Sequence, residues 1–253
     1  MKPSLTILTG ASRGMGLALA RQLLARGGTV LTLSRTVNES LVAEASAHGA
    51  TLVPWSADLA DGAAAATRLA AWLAEQPPGA FGSATLINNA GVIAGIGPLS
   101  HADAGDLAHA LRVGLEAPMQ LTAAFLHATA AWQVPRKVLN ISSGLGRRAM
   151  ASQAGYCAAK AGMDHFTRCL ALEEALKPDG ALVCSLAPGV IDTDMQVQLR
   201  GADAAAFPER ERFAALHREG QLTSAEAAAA RVLACLERAD FGTQPVADVR
   251  ELA

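Results

Sequence analysis

The chain has 253 residues and a formal net charge of -2, and hydrophobic residues make up 51% of it while aromatic residues make up only 4%. Because neither sign of charge is concentrated in one half, the chain offers no basic field for nucleic acid or anionic lipid, and we expect small molecules as its partners. Its four cysteines stand apart without CxxC spacing, which argues against a metal site and against a disulfide framework.

Short β-prone apolar runs alternate along the chain with longer segments at helical spacing, a pattern typical of βαβ units. The first apolar run is too short for a signal peptide or a membrane span, so we expect a soluble protein, and the scattered cysteines are expected to be reduced thiols in a cytoplasm. Strands are predicted at Leu5–Thr9, Thr29–Ser34, Thr51–Ser56, Thr85–Asn89, Lys137–Ser142, Ala181–Ala187 and Pro245–Val249. Helices are predicted near 14–27, 38–48, 60–76, 103–131, 152–177 and 223–238.

This alternation predicts an α/β fold of the Rossmann type, with a doubly wound, seven-stranded parallel sheet flanked by helices on both faces. The length is compatible with one unit, and residues 1–253 are therefore interpreted as a single nucleotide-binding domain. Ligands of such sheets bind at the carboxyl ends of the strands. The polar segment 196–221 is either a mobile substrate lid or a plain surface helical hairpin.

A glycine-rich turn follows the first predicted strand and opens the first helix, reading TGASRGMG over residues 9–16. Glycines permit a tight turn and a close approach to a pyrophosphate, while the helix N-terminus supplies free N–H groups. An ordinary turn needs one glycine rather than three, so we predict a dinucleotide site. The turn residues assigned to the cofactor are Gly10, Ser12, Arg13, Gly14, Met15 and Gly16.

The spacing of these glycines resembles the TGxxxGxG pattern of the short-chain dehydrogenase/reductase family. After the second strand the chain reads Leu33-Ser34-Arg35-Thr36, without the acid that NAD-specific sites usually place there. Arg35 can face a 2′-phosphate with its guanidinium, and Arg13 can reach the same group from the glycine turn. Ser34 and Arg35 are accordingly assigned to the cofactor, which is predicted to be NADP(H).

Three further turns resemble family motifs that border the cofactor. Residues 58–59 match the position where an Asp meets the adenine, although an Asp there is also a common helix N-cap and both roles are compatible. Residues 88–91 read NNAG, and 188–193 match the PGxxxT loop around the nicotinamide. The resemblance assigns to the cofactor Asp58, Leu59, Asn89, Ala90, Gly91, Pro188, Gly189, Ile191 and Thr193.

Tyr156 and Lys160 stand four residues apart at the start of a predicted helix, so they share one helical face. An ammonium beside a phenol favours the phenolate, and we expect the Tyr156 pKa to be lowered toward neutral. The resemblance implies that Tyr156 is the general acid/base, that Lys160 binds the nicotinamide ribose, and that Ser143 binds the substrate oxygen. Strand alternation is expected to turn Ser142 to the opposite face.

Gly114 departs from the family, which usually carries an asparagine here that helps to hold a water in the proton relay. Inside a helix a glycine costs roughly 1 kcal/mol relative to alanine, and Pro118 weakens the same region. Either a water bonded to a backbone carbonyl replaces the missing amide or proton delivery is slower than usual in the family, and our hypothesis is the water.

Residues 115–119 and 187–196, reading LEAPM and APGVIDTDMQ, resemble the benzil reductase and sepiapterin reductase-like branch. This resemblance implies an NADPH-dependent carbonyl reductase or alcohol dehydrogenase acting on an apolar or aromatic ketone or diketone, benzil- or pteridine-like. It also implies a homodimer or homotetramer, paired through the helices near 103–131 and 152–177. The alternative from another class is an NADP(H)-binding sensor with weak or no turnover; epimerase or dehydratase relatives usually need a longer C-terminal region.

Overall fold

The computed structural model describes residues 2–251, which form a seven-stranded sheet in the order β3-β2-β1-β4-β5-β6-β7. Every neighbouring pair of strands is parallel, which confirms the predicted α/β sheet. The last strand is shorter than predicted, because only three of its residues pair with β6. The strands are β1 Ser4–Thr9, β2 Thr29–Ser34, β3 Thr51–Ser56, β4 Ser83–Asn88, β5 Arg136–Ile141, β6 Leu182–Ala187 and β7 Val246–Asp248.

Helices connect consecutive strands, as parallel pairing requires. None in the described part of the chain is long and apolar enough to cross a membrane. The helices are α1 Gly14–Ala25, α2 Ser40–Ala47, α3 Gly62–Ala74, α4 Ala104–Leu111, α5 Ala117–Ala128, α6 Ala154–Ala175, α7 Asp194–Gly201, α8 Arg210–Arg218 and α9 Ala225–Glu237.

Two apolar clusters form the core, one on each face of the sheet. Successive strand residues point to opposite faces, so Ile7 packs in the cluster with α3 and α5 while Leu8 packs in the cluster with α1 and α9. Leu19 of α1 and Phe125 of α5 are both completely buried. The helices therefore cover both faces of the sheet, as the alternating pattern predicts. Only the ends of the strands remain accessible to a ligand.

The strand order reverses at β1, which pairs with β2 on one side and with β4 on the other. The connection after β1 turns to one face of the sheet and the connection after β4 turns to the other, so a crevice opens between them. This is the edge of the sheet to which the sequence motifs point.

The helical stretch predicted near 103–131 is present, but it contains an irregularity that was not predicted. A π-helical segment, Arg112–Glu116, separates α4 from α5, and Ala117 N donates to Arg112 O five residues earlier. Pro118 lacks the N–H that a continuous α-helix would need, so a wider turn at this point is less costly. Gly114 is buried in the segment, and a Cβ atom there would lie 3.3 Å from the Ala159 Cβ.

Segment 196–221 contains the end of α7 and all of α8, a helical hairpin with a core of its own. Phe207 and Phe213 stack with ring centroids 5.7 Å apart, and Phe207 is completely buried. Ile93 and Met150, from the connections after β4 and β5, pack against this cluster. The segment is therefore helical and packs against the rest of the molecule, while its role as a substrate lid stays a prediction.

Candidate active site

A cavity of about 1160 Å³ lies at the carboxyl ends of the strands, along the crevice between the connections after β1 and β4. All residues assigned to the site from the sequence line it, from the glycine turn through Ser143, Tyr156 and Lys160 to the loop after β6. Residues that are far apart in the chain thus line one continuous cavity. Its size suits a dinucleotide and a small substrate together.

The glycine turn forms a cradle that side chains would fill. Gly10 has a φ of +74°, and a Cβ atom on it would lie 2.9 Å from the Ala90 Cα. A Cβ on Gly16 would overlap the carbonyl oxygen of Gly10. The first helix begins after Arg13 without a side-chain cap, which leaves its first N–H groups available to an anion. These features fit the pyrophosphate of a dinucleotide.

Ser34 holds the glycine turn, because its Oγ accepts a hydrogen bond of 2.9 Å from Ala11 N. Arg35 follows at the exposed end of β2 and has no ion pair with any residue in the described range 2–251. Arg13 donates from Nη1 to Asp194 Oδ2 at 2.8 Å, a pair that spans the cleft from the turn to α7. The two arginines assigned to the phosphate therefore differ: one guanidinium is unpaired and the other is already shared with a carboxylate.

Asp58 acts as the N-cap that its residue type permits. Its side chain accepts from Ala60 N at 2.9 Å at the start of the short 3₁₀ turn Leu59–Asp61, and it also lines the cavity. The capping role is therefore confirmed, while contact with an adenine stays a prediction.

Asparagine amides tie the central strands together, as the NNAG motif indicates. Asn88 Nδ2 donates to Asn140 Oδ1 of β5 at 2.9 Å and to Thr122 Oγ1 of α5 at 3.1 Å. Asn89 Nδ2 donates to Thr9 O at the end of β1, also at 2.9 Å. Asn140 in turn donates to Thr167 of α6. This chain of bonds fixes the strand ends on which the cavity is built.

Three side chains converge near the end of β5. Lys160 is 4% exposed, and its Nζ donates a hydrogen bond of 2.7 Å to Ile141 O. The same Nζ lies 5.8 Å from the centroid of the Tyr156 ring, one helical turn away on α6. Ser143 hydrogen-bonds the Tyr156 side chain and also accepts from Leu145 N at 3.2 Å. A hydroxyl, a phenol and an ammonium thus face one part of the cavity.

The expected lowering of the Tyr156 pKa is wrong for this structure. Burial raises the pKa of the phenol above its ordinary value, and the hydrogen bond from Ser143 lowers it only in part. The Lys160 ammonium is bonded to Ile141 O rather than to the phenol, so burial outweighs the stabilisation that its charge gives to the phenolate. Burial also lowers the pKa of Lys160 to about 8, against the opposing effect of the Asp164 carboxylate.

Ser142 and Ser143 both line the cavity, so alternation separates them less than expected. Ser142 is buried and its Oγ has no hydrogen-bond partner among the described residues, whereas Ser143 is half-buried and bonded to the phenol. Ser143 is the serine that contacts Tyr156, in line with the assignment made from the sequence.

A buried carboxylate beneath the site was missed. Asp164, four residues after Lys160 on α6, accepts from Arg147 Nε at 3.1 Å and from Ser185 Oγ at 2.7 Å. The Arg147 guanidinium also donates to Ala247 O of β7 at 2.9 Å. The pair fastens the segment after Ser143 to α6 and to the sheet edge. The i, i+4 spacing of 156, 160 and 164 was the available signal.

The chain is similar over most of its length to known reductases. The model of a family described as short chain dehydrogenase matches residues 4–204. A benzil reductase ((S)-benzoin forming) from Bacillus cereus is 37% identical over 93% of this chain and 94% of its own. A sepiapterin reductase from Xenopus tropicalis is 35% identical, with coverage of 92% and 91%. These relatives confirm the branch that the sequence resembles.

Solved structures give the same picture. A 3-oxoacyl-[acyl-carrier protein] reductase from Brucella melitensis in complex with NAD superposes with a TM-score of 0.81 and 26% identity, covering 98% of this chain and 96% of its own. A metagenomic short-chain oxidoreductase in complex with NADP gives 0.73 and 26%, covering 98% and 95%. The fold thus occurs with either nicotinamide cofactor bound.

Proposed function

Because the chain belongs to the short-chain dehydrogenase family, and so is an oxidoreductase acting on carbonyl or hydroxyl groups, we propose that it is an NADPH-dependent carbonyl reductase. The observation that carries this proposal is the convergence of Ser143, Tyr156 and Lys160 in the cavity that the glycine turn borders.

The proposed reaction converts a carbonyl to an alcohol by adding one hydride and one proton. When bound, the nicotinamide would supply the hydride to the carbonyl carbon. Tyr156 gives its phenolic proton to the carbonyl oxygen, and Ser143 holds that oxygen by a hydrogen bond. Lys160 stabilises the phenolate left behind with its buried positive charge, held in place by Ile141 O. The raised pKa of Tyr156 keeps its proton in place until a substrate arrives.

The preference for NADPH is proposed from the end of β2. Arg35 is exposed and unpaired within the described chain, no acid is present beside it, and a guanidinium is well suited to a phosphate. Ser34 is committed to the glycine turn through Ala11 N and serves the site by holding that turn. The pyrophosphate would lie at the uncapped start of α1.

The substrate is proposed to be an apolar or aromatic ketone or diketone. Part of the cavity wall is formed by Ile93, Met150, Met195 and Phe213, which pack in one apolar cluster and fit many such molecules. We further propose a cytoplasmic, single-domain protein that forms a homodimer or homotetramer. The exposed Leu111, Met119 and Leu172 on the helices around α4 to α6 support the association.

The test is a panel of ketones and diketones, benzil among them, incubated with the purified protein and either NADPH or NADH. Carbonyl-dependent loss of NADPH absorbance, with the matching alcohol identified as product, supports the proposal. Tight binding of NADPH without turnover on any panel member would instead indicate the sensor, the alternative from another class.

A further inference from the structure

Two polar side chains of α7 line the cavity and make no hydrogen bonds among the described residues. Gln196 is 7% exposed, and its Oε1 has no hydrogen-bond partner within residues 2–251. Arg200 lies one turn further along the helix, and its buried Nη1 atom also has no hydrogen-bond partner among these residues. Both residues line the cavity, and their i, i+4 spacing places them on one face of α7.

The neighbouring charged groups are otherwise engaged. Asp194 is paired with Arg13 at 2.8 Å, and Arg212 is paired with Glu209 at 3.1 Å. Asp192 Oδ1 lies 3.5 Å from Arg200 Nη1, close enough for charge attraction but without a hydrogen bond. The structure therefore leaves the Gln196 amide oxygen without a polar partner, and it leaves an Arg200 guanidinium nitrogen with the ion pair to Asp192 but without a hydrogen bond.

A buried polar atom without a partner costs free energy that a polar surface residue would not, so side chains of this kind are normally satisfied by something. An amide and a guanidinium together present both an acceptor and a donor. The complementary group on a ligand carries a donor beside an acceptor, as in an amide or a lactam ring. Surrounding apolar side chains such as Met195 and Leu199 would exclude water from such bonds.

We infer that Gln196 and Arg200 select carbonyl substrates that bear an amide or lactam group, binding that group while the carbonyl lies at Tyr156. The inference rests on the proposed reductase function and names its substrate class. A plain aromatic diketone such as benzil has carbonyl acceptors and no donor, so it gains only part of this binding.

The experiment compares sepiapterin, whose ring system contains a lactam, with benzil as substrates of the wild-type protein, Gln196→Leu and Arg200→Met. Each variant is expected to lose about tenfold in kcat/KM for sepiapterin, mainly through KM, and less than about threefold for benzil. Gln133→Leu is the matched control, since Gln133 is an exposed glutamine that does not line the cavity. This control should leave kcat/KM unchanged for both substrates.

A second measurement separates binding from structure. Because Gln196 Oε1 is unsatisfied, Gln196→Leu should keep or raise the Tm, whereas a structural role would lower it. Equal losses for both substrates, no loss for sepiapterin, or wild-type protein that neither binds nor reduces sepiapterin would overturn the inference. If no carbonyl compound is reduced at all, the reductase proposal fails, and calorimetric binding of sepiapterin to wild type and Gln196→Leu still decides the role of α7.

Discussion

Lys160 Nζ is bonded to the main-chain oxygen of Ile141 at 2.7 Å, and this bond holds the ammonium 5.8 Å from the Tyr156 ring. Because of this bond, the lysine side chain is fixed at the end of β5 and does not extend into solvent. Its charge is also costly to bury, which is why its pKa falls to about 8. The proposed chemistry thus depends on the positive charge of Lys160, which the side chain loses slightly above neutral pH.

The first prediction concerns pH. Lys160 is positively charged below its pKa of about 8 and neutral above it, so kcat/KM for carbonyl reduction should fall as pH rises through about 8. In Lys160→Arg the charge persists at every pH, and activity, although lower overall, should show no decline at that point. A wild-type profile that stays flat from pH 7 to 9.5 would contradict the role given to Lys160.

The proposed preference for NADPH depends on Arg35. Removing its guanidinium in Arg35→Ala should raise the KM for NADPH about tenfold or more, because a charge-assisted bond to the 2′-phosphate is lost, and should leave the KM for NADH nearly unchanged. Arg13→Ala is the comparison, with a smaller effect expected because Arg13 is already paired with Asp194. Equal increases for both cofactors in Arg35→Ala would show that Arg35 does not read the phosphate.

The sequence predicted the sheet well because each of its strands is a short apolar run bounded by glycine, proline or polar residues, as with β1 before Gly10. It did not predict the π-helical segment at 112–116, since apolar periodicity continues through it and only Pro118 signals a break. Spacing alone identified Tyr156 and Lys160 as neighbours. It could not give their burial, which decides the direction of both pKa shifts.

The ion pairs of the site could not be predicted from the sequence, because their partners are far apart in the chain. Arg147 and Asp164 are 17 residues apart, and Arg13 and Asp194 are 181 apart, so their contact depends on how the connections pack at the sheet edge. The motif residues, by contrast, lie at strand ends, and a parallel sheet brings all of these ends to one edge.

Asp164 supports the site from beneath. Asp164→Asn should lower the free energy of unfolding by roughly 3 kcal/mol, because a buried ion pair loses one partner and Arg147 is only partly exposed. It should also move the pH of half-maximal activity below 8, since the Asp164 carboxylate raises the pKa of Lys160. Urea denaturation and a pH profile measure the two effects.

The same substitution at an exposed carboxylate, Asp179→Asn, serves as the control and should alter neither quantity. An unshifted pH profile in Asp164→Asn, with stability alone reduced, would restrict Asp164 to a structural role.

Substitutions of Gly114 test whether the missing asparagine amide impairs the proton relay. A Cβ atom at this position would lie 3.3 Å from the Ala159 Cβ, so Gly114→Ala measures the steric cost and Gly114→Asn adds the amide. If a water on a backbone carbonyl already replaces that amide, kcat of the Asn variant should stay within about threefold of the Ala variant. A tenfold or larger gain for Asn over Ala would show that the natural relay is impaired.

The most direct measurement is the turnover of Tyr156→Phe with the best carbonyl substrate of the panel, beside its dissociation constant for NADPH. The account predicts a loss of about 10³-fold in kcat with little change in NADPH binding, because only the proton donor has been removed. Near-normal turnover by a folded, cofactor-binding Tyr156→Phe protein would contradict it.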